Sequence, residues 1–463
     1  MLTKALQNIS QAPDLRKKIL WTLGILILVR VGVFVPIPGV NTLAIKEAIE
    51  TISTDAMRTV AALLDMFSGG GLSNASIFAL GVMPYISASI VFQILTAMVP
   101  ALKRLQKEGE SGRKRIAQYT RYAAVGLCLI QGLLLSNQIL NMKVGDTAKT
   151  MQADWVSSPV MFRFIATIMM TSGTMLLMWM GEQIDEFGIG NGVSLIIMIS
   201  IVSRLPKGFS AMAKNFEADI AASSANAIGM DTIVMLIVIF VLMTVAVVVL
   251  QQATRKIKVQ TTRRSKSGFK VGSFIPLKLN AAGVMAIIFA QALMSLPQML
   301  MMLDNFYISV ILQFLMPGAW LYETVYILLI FFFSYFYMQI IFDPVEQANN
   351  LKQQNVFIRG VRPGQETAEY LRKVIDRLTF SGAVFISVIA LAPQFIQSQM
   401  SIDYSIAGMF GGTGLLIVVG VALDLVQRVE NHLLSQRYDA YMSKSKHRIK
   451  TGRERGGIGG TSR

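Results

Sequence analysis

The sequence predicts an all-α polytopic membrane protein, with ten transmembrane helices in two inverted, pseudo-symmetric halves. Three observations carry that prediction. Of the 463 residues, 53% are hydrophobic and 15% charged, against about 25% charged in a soluble domain, so the implied solvent is a bilayer. Runs of about 20 apolar residues, the length that crosses a roughly 30 Å hydrocarbon core, recur along the chain. The charge of the segments between those runs alternates from one side of the membrane to the other.

The runs lie near 19–35, 75–100, 116–138, 159–181, 189–205, 231–252, 281–303, 320–342, 378–398 and 405–426. The fifth is short and opens on GIGNG, so hydropathy marks it least. The segment 100–121 holds seven basic residues against Glu108 and Glu110, and 251–280 holds eight with no acid. Loops 36–60, 139–158, 206–230, 304–319 and 399–404 carry no basic excess. By the positive-inside rule both chain ends and the basic loops are cytoplasmic. The acidic turn GEQIDEFG at 181–188 departs from the pattern, but acidic residues weigh little in that rule. Ten spans divide five and five, and an odd number per half inverts the second half against the first. The boundaries expected are 1–205 for the N-terminal half, 206–440 for the C-terminal half and 441–463 for a basic tail. The N-terminus shows no small-residue cleavage site after its first apolar run and is expected to be retained.

The net charge of +16 suits anionic lipid, nucleic-acid-rich partners or acidic proteins. Cys128 is the single cysteine, and His432 and His447 both fall near the C-terminus, so disulfides and an intramembrane histidine metal site are not expected. No HExxH, P-loop or buried nucleophile–base pair is visible, so no enzyme and no cofactor are expected.

One apolar stretch is interrupted. The segment DMFSGGGLSNASIFALGVMPY at 65–85 places three glycines where a helix would otherwise continue. Before it, 59–68 is apolar but rises only about 15 Å as a helix, too little to span. Irregular backbone at membrane depth is tolerated only where protein or a water-filled cavity surrounds it. This segment either lines an interior cavity, entering from outside, or packs as a re-entrant element. Val82 and Ile86, and again Val193 and Ile197, are spaced four apart on helices. Such pairs more often reflect plain packing, but an aliphatic constriction also closes a pore by dewetting without selecting a solute. Arg30 inside the first span and Asp424 near the end of the tenth are intramembrane charges, read here as structural.

Longer motifs carry a family resemblance. FVPIPGV at 34–40, the 65–93 segment, KEGESGRKRIAQYTRY at 107–122, MWMGEQIDEFGIGNGVS at 178–194, IPLKLNAAGV at 275–284, NNLKQQNVFIRGVRPGQETAEYL at 349–371 and FGGTGLLIVVG at 410–420 resemble the SecY/Sec61-alpha family of protein-conducting channels. They occur in the family's order, from the N-terminus to about residue 440. The resemblance implies an hourglass pore between helices 1–5 and 6–10. Its plug would comprise Leu64, Asp65, Met66, Phe67, Ser68, Gly69, Gly70, Gly71, Leu72, Ser73 and Asn74, with the glycines as flexible hinges. The implied pore ring is Val82, Ile86, Val193, Ile197, Met285 and Ile417. Met285 is followed by Ala286 where the family commonly has Ile then Pro. A lateral gate would lie between the second and seventh helices, with Ser87, Gln93 and Gln291 as polar candidates.

The cytoplasmic loops, about 253–280 and 343–377, would dock the driving partner. Arg255, Lys256, Lys258, Arg263, Arg264 and Lys266 are implied in the first, Arg362 in the second, with Arg359 standing where the family usually has proline. The partners implied are the SecE and SecG subunits, the SecA ATPase or a translating ribosome, the unfolded preprotein with its signal sequence, and membrane lipid. The location implied is the cell membrane. The rival reading is an ion-coupled secondary transporter with inverted repeats, which predicts interior Asp, Glu or His at mid-bilayer.

Overall fold

The computed structural model describes residues 13–42, 45, 62, 64–141, 158–206, 208–210, 230–261, 273–280, 283–300, 314–315, 319–400 and 412–455. Twelve helices and three strands are assigned within them. They are α1 (Pro13–Gly32), α2 (Met83–Met98), α3 (Pro100–Lys107), α4 (Glu110–Asn141), α5 (Pro159–Phe187), α6 (Gly192–Val202), α7 (Met230–Gln252), β1 (Thr254–Thr261), β2 (Ser273–Lys278), α8 (Met285–Leu300), α9 (Trp320–Ile341), α10 (Pro344–Gln353), β3 (Val356–Ile358), α11 (Gln365–Met400) and α12 (Gly412–Arg455).

The protein is predominantly helical and polytopic, as its composition predicts. Among the described residues, α4, α5, α7, α9, α11 and α12 are long and apolar enough to cross a membrane. The α2–α3 pair bends by 97° at its break, and α6 and α8 are shorter apolar helices. Exposed aliphatics run along α7, including Val234, Val238, Val241, Leu242, Val245 and Val249, as a lipid-facing helix requires.

The second expected run, 75–100, starts later as a helix than hydropathy suggests. Residues 75–82 form turns, with Gly81 at φ +59°, and the helix begins at Met83 with Pro84 in its first turn. Proline has no N–H to donate and fits there without breaking a helical bond. The expected fifth run starts at Gly192, where the Asn191 side chain accepts from Ser194 N at 3.0 Å. The Asp185 carboxylate accepts from Gly192 N at 2.7 Å. The acidic turn is thus structural, since Asp185 caps α6 and Glu182 pairs with Arg121 at 2.8 Å.

Helices α1, α2, α4, α5 and α6 pack as one group, and α7, α8, α9, α11 and α12 as another. The groups meet along two seams, α8 against α2 and α4, and α12 against α6. Between the helices lies one large apolar core.

The loop regions 253–280 and 343–377 hold the part of the fold that hydropathy does not show. β1 pairs antiparallel with β2 and with β3 in the order β2-β1-β3. Side chains alternate along β1: Ile257 and Val259 turn onto Leu371, Val374 and Ile375 of α11, while Arg255, Lys256 and Lys258 are exposed. The regions 253–280 and 343–377 are therefore joined by one sheet.

Candidate functional site

The six ring residues converge on one core. Val82, Ile86, Ile197 and Ile417 are buried in the same cluster, against which Val193 and Met285 pack partly buried. They come from four places in the chain: the residue that precedes α2 and its first turn, α6, the first residue of α8, and α12. Ile197 is 1% exposed and Ile417 0%. On one side of this collar a cavity of about 290 Å³ has Val284 and Met285 in its wall, together with polar groups of Asn191, Gln251, Asn280 and Asp424. Asp424 pairs with Arg428 at 2.8 Å, so its charge faces the cavity already balanced.

The segment 64–74 packs on the same core and on a second cluster. Phe67 is buried in the collar's cluster and Met66 packs on it. Leu72 is buried in a second cluster with Cys128, Phe162 and Met170, against which Leu64 also packs. After one helical turn at 64–68 the chain folds into a knot held by its own hydrogen bonds. Gly70 N donates to the Asp65 carbonyl at 2.9 Å, Ser73 N to the Asp65 carboxylate at 2.9 Å, and Leu72 N to Ser68 Oγ at 3.3 Å.

The glycines are required here by geometry. Gly69 and Gly70 stand at φ +68° and +95°, where a Cβ is strained, and a Cβ on Gly71 would lie 2.7 Å from the Phe78 carbonyl oxygen. In this conformation the glycines permit a tight, closely packed turn. Ile37 N donates to Ala75 O at 2.8 Å and Ile77 N to Val35 O at 3.0 Å, so FVPIPGV clasps the chain just after the knot.

Two charged contacts at this knot have no signal in periodicity. Arg204, just beyond α6, forms a salt bridge with Asp65. Arg30 of α1 donates from Nη1 to the Gly69 carbonyl at 3.0 Å.

Of the gate candidates, Ser87 donates from Oγ to the Ala292 carbonyl across α2 and α8 at 3.4 Å. Gln93 donates to Ser89 on its own helix at 3.1 Å. Gln291, also on α8, is buried and hydrogen-bonds Tyr322 of α9. The structure therefore brings Ser87 to the α2–α8 seam and turns the two glutamines elsewhere. Arg255, Lys256 and Lys258 lie exposed on β1, with Lys256 over the Phe274 ring at 5.0 Å. Arg362 is exposed in the turn after β3, 4.0 Å from Glu366. Arg263, Arg264 and Lys266 lie outside the described residues.

Long apolar helices around an aliphatic collar, with a broken segment folded onto it, define a polytopic membrane protein of channel architecture. The chain belongs to the SecY family, whose family model matches residues 76–426. It is 40% identical to protein translocase subunit SecY of Synechocystis sp. over 452 residues, 94% of this chain and 96% of that protein. The Escherichia coli K12 protein of the same name is 38% identical over 443 residues, 93% and 95% of the two chains. In fold it is similar to a solved protein-conducting channel, with TM-score 0.64 and 17% identity over 90% of this chain and 92% of that one. Sec61 in the canine ribosome–channel complex also matches, with TM-score 0.59 and 16% identity over 90% and 92%.

Proposed function

We propose that this chain is the central, pore-forming subunit of a preprotein translocase. It passes unfolded secretory polypeptides across the membrane and releases transmembrane segments sideways into lipid. The observation that carries this is the near-full-length identity to translocase subunits of that name. The convergence of six aliphatic or thioether side chains on one core agrees with it. A flexible apolar ring offers a moving chain few polar groups to bind and excludes ions while closed. The 64–74 segment serves as plug and the α2–α8 seam as lateral gate. Ten crossings, the halves 1–205 and 206–440 and cytoplasmic ends in a bacterial inner membrane complete the reading. SecE and SecG are proposed as companion subunits, and SecA or a translating ribosome as the motor on the exposed basic face of β1 and on Arg362. The chain itself acts as a channel, not as an enzyme.

Cysteine-scanning cross-linking tests the pore. With Cys128 replaced, single cysteines at Ser68 and Val82 are expected to cross-link to a secretory chain stalled in the membrane. Absence of adducts at both sites, with the chain shown to be stalled, rejects the pore. The gate has its own test. A hydrogen bond between membrane helices contributes roughly 1 kcal/mol, so Ser87→Ala is expected to speed release of a marginally hydrophobic segment about fivefold, read as its carbonate-resistant fraction over time. Unchanged release kinetics would leave Ser87 a packing contact.

A further inference from the structure

The contacts of Asp65 are more elaborate than packing of a stopper requires. Asp65 is 5% exposed, and its two carboxylate oxygens do different things. Oδ1 accepts from Ser73 N at 2.9 Å and closes the glycine knot on itself; Oδ2 takes the guanidinium of Arg204 and ties the knot to the end of α6. From the opposite side Arg30 holds the Gly69 carbonyl. The Cβ position of Gly69 lies 3.0 Å from both Arg30 Nη1 and the Ser200 backbone, so α1, the knot and α6 meet there. The two guanidiniums also repel each other, so the carboxylate that neutralises Arg204 lets both cations sit against the knot.

We propose that Asp65, Arg204 and Arg30 form an ionic latch that fixes the closed position of the 64–74 segment and sets how readily it leaves the collar. Arg204 and Arg30 act as positioning residues. The proposal rests on the plug reading above. A buried charge deprived of its partner is strongly disfavoured, whereas the same groups separate at small cost once water reaches them. The latch therefore holds while the collar is dry. A polypeptide that enters and hydrates the cavity weakens it, because each charge then gains solvent in place of its partner. Removing the carboxylate alone leaves Arg204 unpaired beside a second cation, Arg30, so Asp65 is the most sensitive member.

The test uses the full chain with its co-purifying subunits in proteoliposomes, reading halide efflux at matched incorporation. Four variants are compared: Asp65→Asn, Arg204→Gln, the two combined, and Arg204→Lys. Each single neutral variant is expected to raise resting efflux at least fivefold. The double variant should leak no more than the worse single one, since partners in one interaction are not additive. Arg204→Lys, which keeps the charge, should recover most of the seal. A deletion of 65–70 separates the two readings. If the deletion leaks and the point variants match the unaltered chain, the latch is rejected and the plug stands. If the deletion does not leak either, the plug reading itself falls. Multiplicative effects in the double variant also overturn the latch, because the two residues would then act independently.

Discussion

Proteoliposomes carrying the Ile86→Ser, Ile197→Ser double variant are expected to leak halide at least tenfold faster than those carrying the unaltered chain. The two residues are 4% and 1% exposed and share one cluster with Val82 and Ile417. Each substitution removes buried aliphatic volume, a change that costs about 2–5 kcal/mol when isoleucine becomes alanine. It also places a hydroxyl where the wall had nothing to hold water. On the proposed reading a dewetted aliphatic constriction is the seal, and a polar one would stay wet and conduct. Changing both residues to leucine keeps volume and polarity, costs under about 1.5 kcal/mol per site, and should keep the seal. Equal efflux from the serine pair and the unaltered chain, at equal incorporation, would exclude the collar as the barrier.

Gly192→Ala is expected to be a strongly damaging single methyl at the contact between α5 and α6. A Cβ there would sit 2.0 Å from the backbone oxygen of Gly181 on α5, and no side-chain rotation relieves a clash with backbone. Overpacking of this kind costs about 3 kcal/mol or more. The cost falls on the helix that carries Val193 and Ile197, so thermal unfolding of the detergent-solubilised complex should shift down sharply and halide efflux should rise. Gly126→Ala is the comparator: nothing lies within 4 Å of its Cβ position, and alanine in a helix interior gains up to about 1 kcal/mol. Indistinguishable unfolding midpoints for the two variants would mean that α5 and α6 do not approach as closely as described.

Much of this architecture is legible in the sequence because a bilayer imposes a coarse rule. Apolar length marks α4, α5, α7 and α9 well, since lipid demands it over their whole extent. The start of α2 is less legible, because the turns at 75–82 are as apolar as a helix and only Gly81 and Pro84 mark the boundary. The sheet is hidden for another reason. In β1 the inward Ile257 and Val259 are interleaved with lysines, so the segment reads as a basic loop until β2 and β3 supply its partners. Helical spacing singles out Val82 with Ile86 and Val193 with Ile197 without telling a ring from plain packing, whereas Met285 and Ile417 need the family motif, because each stands alone on its helix. At Gly69–Gly71 the sequence shows backbone freedom but not the close packing, because the same absence of Cβ that allows freedom also allows backbones to touch. Arg204 carries no sequence signal, since a lone cation after an aliphatic helix is indistinguishable from an interfacial anchor until Asp65 is seen beside it.

Because β1 is hydrogen-bonded to β2 on one edge and to β3 on the other, the two loop regions they join behave as a single handle. That handle is bolted through Ile257 and Val259 to the base of α11, a rod of 36 residues and about 54 Å. On the function proposed above, a partner gripping either region grips both, and its push reaches the helix bundle through α11.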